Sequence, residues 1–199
     1  MIHFIASLSV VSALFFSTAV LAHSSRGDEA VTSAKDSIYQ IPSKWQDQNG
    51  TDWNLKSLRG HPVILAMAYT RCQYSCPLIV ENMKKLEMDL AAKGAKDVAF
   101  ALFSFDAKHD TSEKLKKFAE TRHLDLTHWT LFHGSANAVR DLAAVLGIRY
   151  KETSQGEFDH SNIIFLLDPE GIVRFQQTGL NKDAETFEKN VLELLIRKP

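Results

Sequence analysis

The chain has 199 residues, 45% of them apolar and 24% charged, with a formal net charge of -1. This is the balance of a globular protein of one domain plus an added segment. It excludes a basic nucleic-acid surface, and no fixed-period repeat or low-complexity run occurs.

The first stretch is a targeting segment. Phe4 to Leu21 is almost wholly apolar or small, and no Lys, Arg, Asp or Glu precedes Arg26. Val20-Leu21-Ala22 presents small residues where a signal peptidase reads. Residues 1–22 are therefore a cleaved signal peptide, leaving His23 first, or an uncleaved membrane anchor. Either way the folded part is exported: periplasmic, soluble or tethered to the inner membrane by residues 2–22. Residues 23–35 are small and polar, as in a linker, and residues 36–199 are the folded domain.

In that domain Ile38 to Ile41 alternates like a short strand, and Trp45 to Leu58 carries hairpin chemistry at Asn49-Gly50. Val63 to Tyr69 is a continuous apolar run, as in a strand covered on both faces. It runs into Cys72-Gln73-Tyr74-Ser75-Cys76-Pro77, which holds both cysteines of the chain. A helix follows over Leu78 to Ala92 and ends at Gly94. Pro77 restricts its start, which makes Ser75 the N-cap and Cys76 the first helical residue. Val98 to Phe105 is a second buried strand. Asp110-Thr111-Ser112-Glu113 reads as a capping box with Asp110 as the cap, before a helix reaching about His123. His128 to Phe132 is a strand, and Ser135 caps a helix that stops at Gly147. Asn162 to Leu167 and Ile172 to Phe175 form a hairpin around Asp168-Pro169-Glu170-Gly171, and Asp183 to Ile196 is a final amphipathic helix.

Strands alternating with helices argue an α/β three-layer sandwich. A strand that delivers cysteines to a helix, with a closing hairpin and helix, makes it thioredoxin-like, with an N-terminal extension and an extra helix.

Cysteines at a helix start face its partial positive charge, which favours thiolate. Export favours a structural disulfide, but so small a loop gains little stability from closure. Two thiolates make an incomplete zinc site; two thiolates with one imidazole suit copper. Of the eight histidines, His3 lies in the exported segment and His61 beside a turn. His109, His123, His128 and His133 sit at element ends. His160 stands in the polar loop Gly156-Glu157-Phe158-Asp159 before a buried strand that enters beside the cysteines, and Asp159 could orient it. Thioredoxin-type enzymes place a cis-proline there; no proline occurs between Pro77 and Pro169.

Tyr69-Thr70-Arg71-Cys72-Gln73-Tyr74-Ser75-Cys76-Pro77 resembles the Y-T-x-C-x-x-x-C-P motif of the Sco/SenC family. Phe105-Asp106-Ala107-Lys108-His109-Asp110-Thr111 resembles its D-x-x-x-D-T segment, with Ala107 where proline is frequent. His160-Ser161 with Leu167-Asp168-Pro169-Glu170-Gly171 resembles its distal histidine and following hairpin. The resemblance implies a thioredoxin fold and copper, Cu(I) or Cu(II), held by Cys72, Cys76 and His160. It implies a metallochaperone whose partner is the copper-site subunit of cytochrome c oxidase, or another exported copper or thiol protein.

The competing reading is a thiol–disulfide oxidoreductase, in which Cys72 attacks a partner disulfide and Cys76 resolves it. The P-x-x-x-T-x-x-C pattern of peroxidases fails at both cysteines. Asp106 and Asp110 could lie near the metal or contact a partner, and for Asp110 a helix cap is the alternative. Arg71 either lowers the Cys72 pKa, contacts an acidic partner or is solvated.

Overall fold

The computed structural model describes Met1, residues 37–180 and residues 184–196. The targeting segment, the linker, His3 and His23 lie outside the described residues. Among those described, no helix is long and apolar enough to cross a membrane.

The central strands are β3 (Val63–Ala68), β4 (Ala99–Ser104), β5 (Trp129–Gly134) and β8 (Ile163–Leu167). Every residue of β3 and β8 is buried. Successive strand residues point to opposite faces, so both faces of the sheet are covered and the architecture has three layers. β3 pairs parallel with β4, and β4 parallel with β5, while β8 runs antiparallel to β3. β9 (Val173–Thr178) closes one edge through a hairpin with β8. At the other edge β1 (Lys44–Asp47) and β2 (Asp52–Asn54) form the hairpin signalled by Asn49-Gly50, and β1 pairs antiparallel with β5. The sheet order is β2-β1-β5-β4-β3-β8-β9. Its β4-β3-β8-β9 core, with β8 reversed, is the thioredoxin-like arrangement expected from the sequence.

Helix α1 (Ser75–Ala92) connects β3 to β4, and α2 (Ser112–Thr121) connects β4 to β5. Helix α3 (Ala136–Val145) follows β5, and α4 (Ala184–Ile196) packs on β9 and α1. Ser135 caps α3 as expected, accepting from the Ala138 N–H. Rings of β4 and β5 meet in the core, with Phe103 stacked on Phe132 at 4.6 Å.

Four local expectations are corrected. Ile38–Gln40 is a 3-10 turn, not a strand: the Ser37 hydroxyl accepts from Tyr39 N–H, and the Ile38 N–H bonds the Gly171 carbonyl. Helix α1 begins at Ser75, with Tyr74 in the cap position and no side-chain cap from it. Helix α2 is capped by Thr111, which accepts from the Lys114 N–H, because Asp110 is drawn inward. The loop before His160 is a second, separate hairpin, β6 (Tyr150–Glu152) with β7 (Phe158–His160).

Candidate metal centre

Strand β3 ends at Ala68, and the chain turns through Tyr69–Tyr74 into α1. Cys72 sits in this turn, closed by its N–H on the Tyr69 carbonyl at 3.3 Å. Cys76 is on the first turn of α1. The first N–H groups of a helix have no partner within it. Here the Cys72 Sγ accepts from the Cys76 N–H at 3.3 Å. A sulfur thus does the work expected of the Ser75 hydroxyl. That hydroxyl instead lies 3.7 Å from Cys72 Sγ and 3.4 Å from His160 Nε2.

His160 comes from the end of β7 and enters this space from the other side. Its Nε2 is 3.6 Å from Cys76 Sγ, and its Nδ1 lies 3.2 Å from the Ser161 carbonyl. A carbonyl only accepts, so this contact places a proton on Nδ1, and in the neutral ring the Nε2 lone pair then faces the thiols. The imidazole packs on Phe105 at 4.9 Å and meets the edge of Tyr69 at 6.2 Å.

One donor atom from each of Cys72, Cys76 and His160 lies within 4.8 Å of the others. Both cysteines are free thiols and buried, Cys72 at 7% exposure and Cys76 at 0%. Their environments push them apart. The Cys72 thiol is held well below its usual range, first by the hydrogen bond from Cys76, then by backbone N–H groups and Ser75, against the cost of burial. The Cys76 thiol is pushed up, first by that same bond and then by burial. The environment thus favours the thiolate on Cys72 and the thiol on Cys76. Two soft sulfurs and a neutral imidazole form a donor set for a soft metal ion. No fourth Cys, His, Asp or Glu joins them among the described residues, which is short of the four ligands of a structural zinc site.

The acidic residues of the second motif act on the loop. Asp110 accepts from Thr70 N–H, from the Thr70 hydroxyl and from the Ser104 hydroxyl. Asp106, 1% exposed, takes a fork from Arg71, Nε at 3.0 Å and Nη2 at 2.7 Å. His109 lies on the same carboxylate. Arg71 is thus committed to Asp106, and the low pKa of Cys72 comes chiefly from hydrogen bonds to its sulfur. Asp110 is therefore not the cap of α2.

The other histidines are elsewhere. His61 is exposed and pairs with Asp97, and His133 Nε2 meets the Ser112 hydroxyl. His123 ends α2 in a left-handed conformation, φ 53°. His128 approaches Glu87 and Asp125 as a second three-residue group. Those carboxylates already accept from Trp129 Nε1 and from Thr127, so the group braces the surface and contains no sulfur.

Sequence reasoning gave Ser75 only a capping role and assigned none to Tyr69 or Glu157. The Tyr69 hydroxyl donates to Glu157 Oε2 at 2.5 Å. The only advance signal for it was a tyrosine ending a buried strand, where the hydroxyl needs a partner.

The SCO1/SenC family model matches residues 32–195. An SCO1 protein homolog of Bacillus subtilis is 28% identical over 146 residues, 71% of this chain and 75% of that protein. The structure reporting a disulfide switch in BsSco, a member of the Sco family of cytochrome c oxidase assembly proteins, is 25% identical. It superposes with a TM-score of 0.71 over 81% of this chain and 96% of that one. Arabidopsis thaliana ScoI with copper bound shares the fold at 21% identity, with a TM-score of 0.70 over 79% of this chain and 98% of that one. With a family match over residues 32–195, from before the first described element into the last turn of α4, the chain belongs to the SCO1/SenC family.

Proposed function

We propose that this protein binds copper through Cys72, Cys76 and His160 and passes it to an exported acceptor, the copper-site subunit of cytochrome c oxidase. The observation that carries the reading is the convergence of two sulfurs and one imidazole nitrogen within 4.8 Å. Soft thiolates with imidazole select copper over harder cations. Three donors leave the ion open to attack by an acceptor's ligand, which is what transfer by ligand exchange requires. The family of BsSco and the copper-bound state of Arabidopsis ScoI support the same cargo and destination. Residues 1–22 would export or tether the protein, residues 23–35 would act as linker, and residues 36–199 would carry the site.

The test is a Cu(I) titration of the reduced protein against a competing chelator, for wild type and His160→Ala. Tight one-to-one binding, weakened by about tenfold or more without the imidazole, is the expected result. Weak binding, or binding indifferent to His160, overturns the reading.

A second reading rests on the split of the two thiols. Cys72 as thiolate and Cys76 as thiol are the nucleophile and resolving group of a disulfide reductase. Cys72 would attack a partner disulfide, releasing one partner thiolate. Cys76 would then give up its proton and displace the other, leaving a Cys72–Cys76 disulfide and a partner reduced by two electrons. Activity of this kind that survives His160→Ala separates it from copper delivery.

A further inference from the structure

The β6–β7 hairpin stands outside the main sheet, and His160 is its last residue. Strands of three residues pair too weakly to fix their own place. Part of the anchorage is apolar: Phe105 packs against Tyr150 at 5.2 Å and against His160 at 4.9 Å. The polar part comes from the cysteine loop itself. Arg71 Nη2 donates to the Gly156 carbonyl at 3.0 Å. The Tyr69 hydroxyl donates to Glu157 Oε2 and accepts from the Phe158 N–H at 3.2 Å. The three gripped residues run consecutively toward His160.

Both gripping side chains are fixed at their other ends. Arg71 is forked onto the buried Asp106. Tyr69 is 4% exposed and directly follows the wholly buried strand β3, and its ring adds an edge-on contact to Phe158 of the hairpin at 5.2 Å. Residues on either side of Thr70, just before Cys72, therefore hold the segment just before His160.

We propose that Tyr69 and Arg71 are positioning residues for His160: they lock the β6–β7 hairpin to the cysteine loop at Gly156, Glu157 and Phe158, and so set where the imidazole stands relative to the thiols. This rests on reading Cys72, Cys76 and His160 as one copper site. The thiol half and the imidazole half of that site then move as a unit, although they come from distant parts of the chain.

Tyr69→Phe keeps the ring and removes only the hydroxyl. Arg71→Lys keeps the charge beside Asp106 and removes the fork. The experiment measures Cu(I) affinity of the reduced protein for wild type, both variants, His160→Ala, and Tyr69→Phe combined with His160→Ala. Each single variant is expected to weaken binding about tenfold. Tyr69→Phe is expected to add less than about twofold once His160 is gone, because coupled residues are not additive. An equal loss in both backgrounds overturns the proposal, since the hydroxyl would then act on the thiols or on the fold. So does wild-type affinity in both single variants while His160→Ala is weakened. Hydrogen exchange of the metal-free protein gives a readout that needs no copper. Faster exchange at the amides of Glu157 to His160, with β3 and β8 unchanged, is expected for Tyr69→Phe; unchanged hairpin exchange overturns the grip. If His160→Ala binds copper like wild type, the copper-site reading fails, and exchange still decides whether the hairpin is held as described.

Discussion

The Sγ of Cys76 and the Nε2 of His160 lie 3.6 Å apart although 84 residues separate them in the chain. The contact exists because β3 and β8 are neighbours in the sheet: one delivers the cysteine loop, and the β6–β7 hairpin leads into the other. It is oriented by the Ser161 carbonyl, which accepts a hydrogen bond from the Nδ1–H. Nitrogen-15 spectra of the reduced, metal-free protein at a pH where the ring is neutral are expected to show His160 with Nδ1 protonated and Nε2 bare. A proton found on Nε2 would mean that the nitrogen nearest the thiols is blocked, and the donor set would fall to two sulfurs.

The thiols are expected to titrate far apart. Cys72 is stabilised as thiolate by the bond from Cys76 and by backbone N–H groups, whereas Cys76 is held protonated by that bond and by burial. The chain has only two cysteines, so thiolate absorbance reports on this pair alone. Half of the signal is expected to be present already well below the free-thiol pKa of about 8.5, and the other half only above it. In Cys76→Ala the Cys72 step should move upward, because the largest of the hydrogen bonds that favour its thiolate is gone. A single two-proton step near the free-thiol value would refute the split.

Much of the site was legible because its strongest signals are local. A buried apolar run into a C-x-x-x-C-P segment dictates a strand, a tight turn and a helix start. The place of His160 before a buried strand made it a candidate, and the resemblance of His160-Ser161 to the distal histidine of the family singled it out. The cap assignments failed for a different reason. Ser75 and Asp110 have the right chemistry and spacing for N-caps, but each found a tertiary partner that local sequence cannot reveal. Ser75 turns to Cys72 and His160, and Asp110 turns to Thr70 and Ser104. Tyr39 looked like a strand residue because it alternates with apolar neighbours; its hydroxyl instead reaches the Leu58 carbonyl. The β6–β7 hairpin was missed because three-residue strands leave too short a period to read.

Gly171 shows how closely that N-terminal turn is fitted. Its φ is +76°, and an added Cβ would stand 2.7 Å from the Tyr39 ring. The Gly171 carbonyl also takes the Ile38 N–H. Gly171→Ala must therefore bear a left-handed alanine and displace a buried ring. The expected loss is about 2–4 kcal/mol, read as a lower urea midpoint. Gly147→Ala has a similar positive φ, +66°, but open space around it. It should lose only about 1 kcal/mol. Equal losses would show that the ring contact adds nothing.

Arg71 and Asp106 are an unequal pair, and the two halves should not cost the same to remove. The Arg71 side chain is 36% exposed and that of Asp106 only 1%. Arg71→Ala leaves a buried carboxylate without its fork, at an expected cost of about 3 kcal/mol. Asp106→Asn leaves a guanidinium that water can reach, and should cost about 1–2 kcal/mol. Burial by itself would raise the Asp106 carboxyl; Arg71 and His109 outweigh it and hold the group below the usual carboxylate range. The unfolded chain then binds the Asp106 proton first as the pH falls. The stabilisation is present in full above about pH 4 and is lost as the pH drops through the folded value. Urea unfolding of wild type and Asp106→Asn should therefore differ at neutral pH and converge in acid. A gap that stays constant down to pH values where wild type unfolds would mean that the charge of Asp106 contributes nothing and only its shape matters.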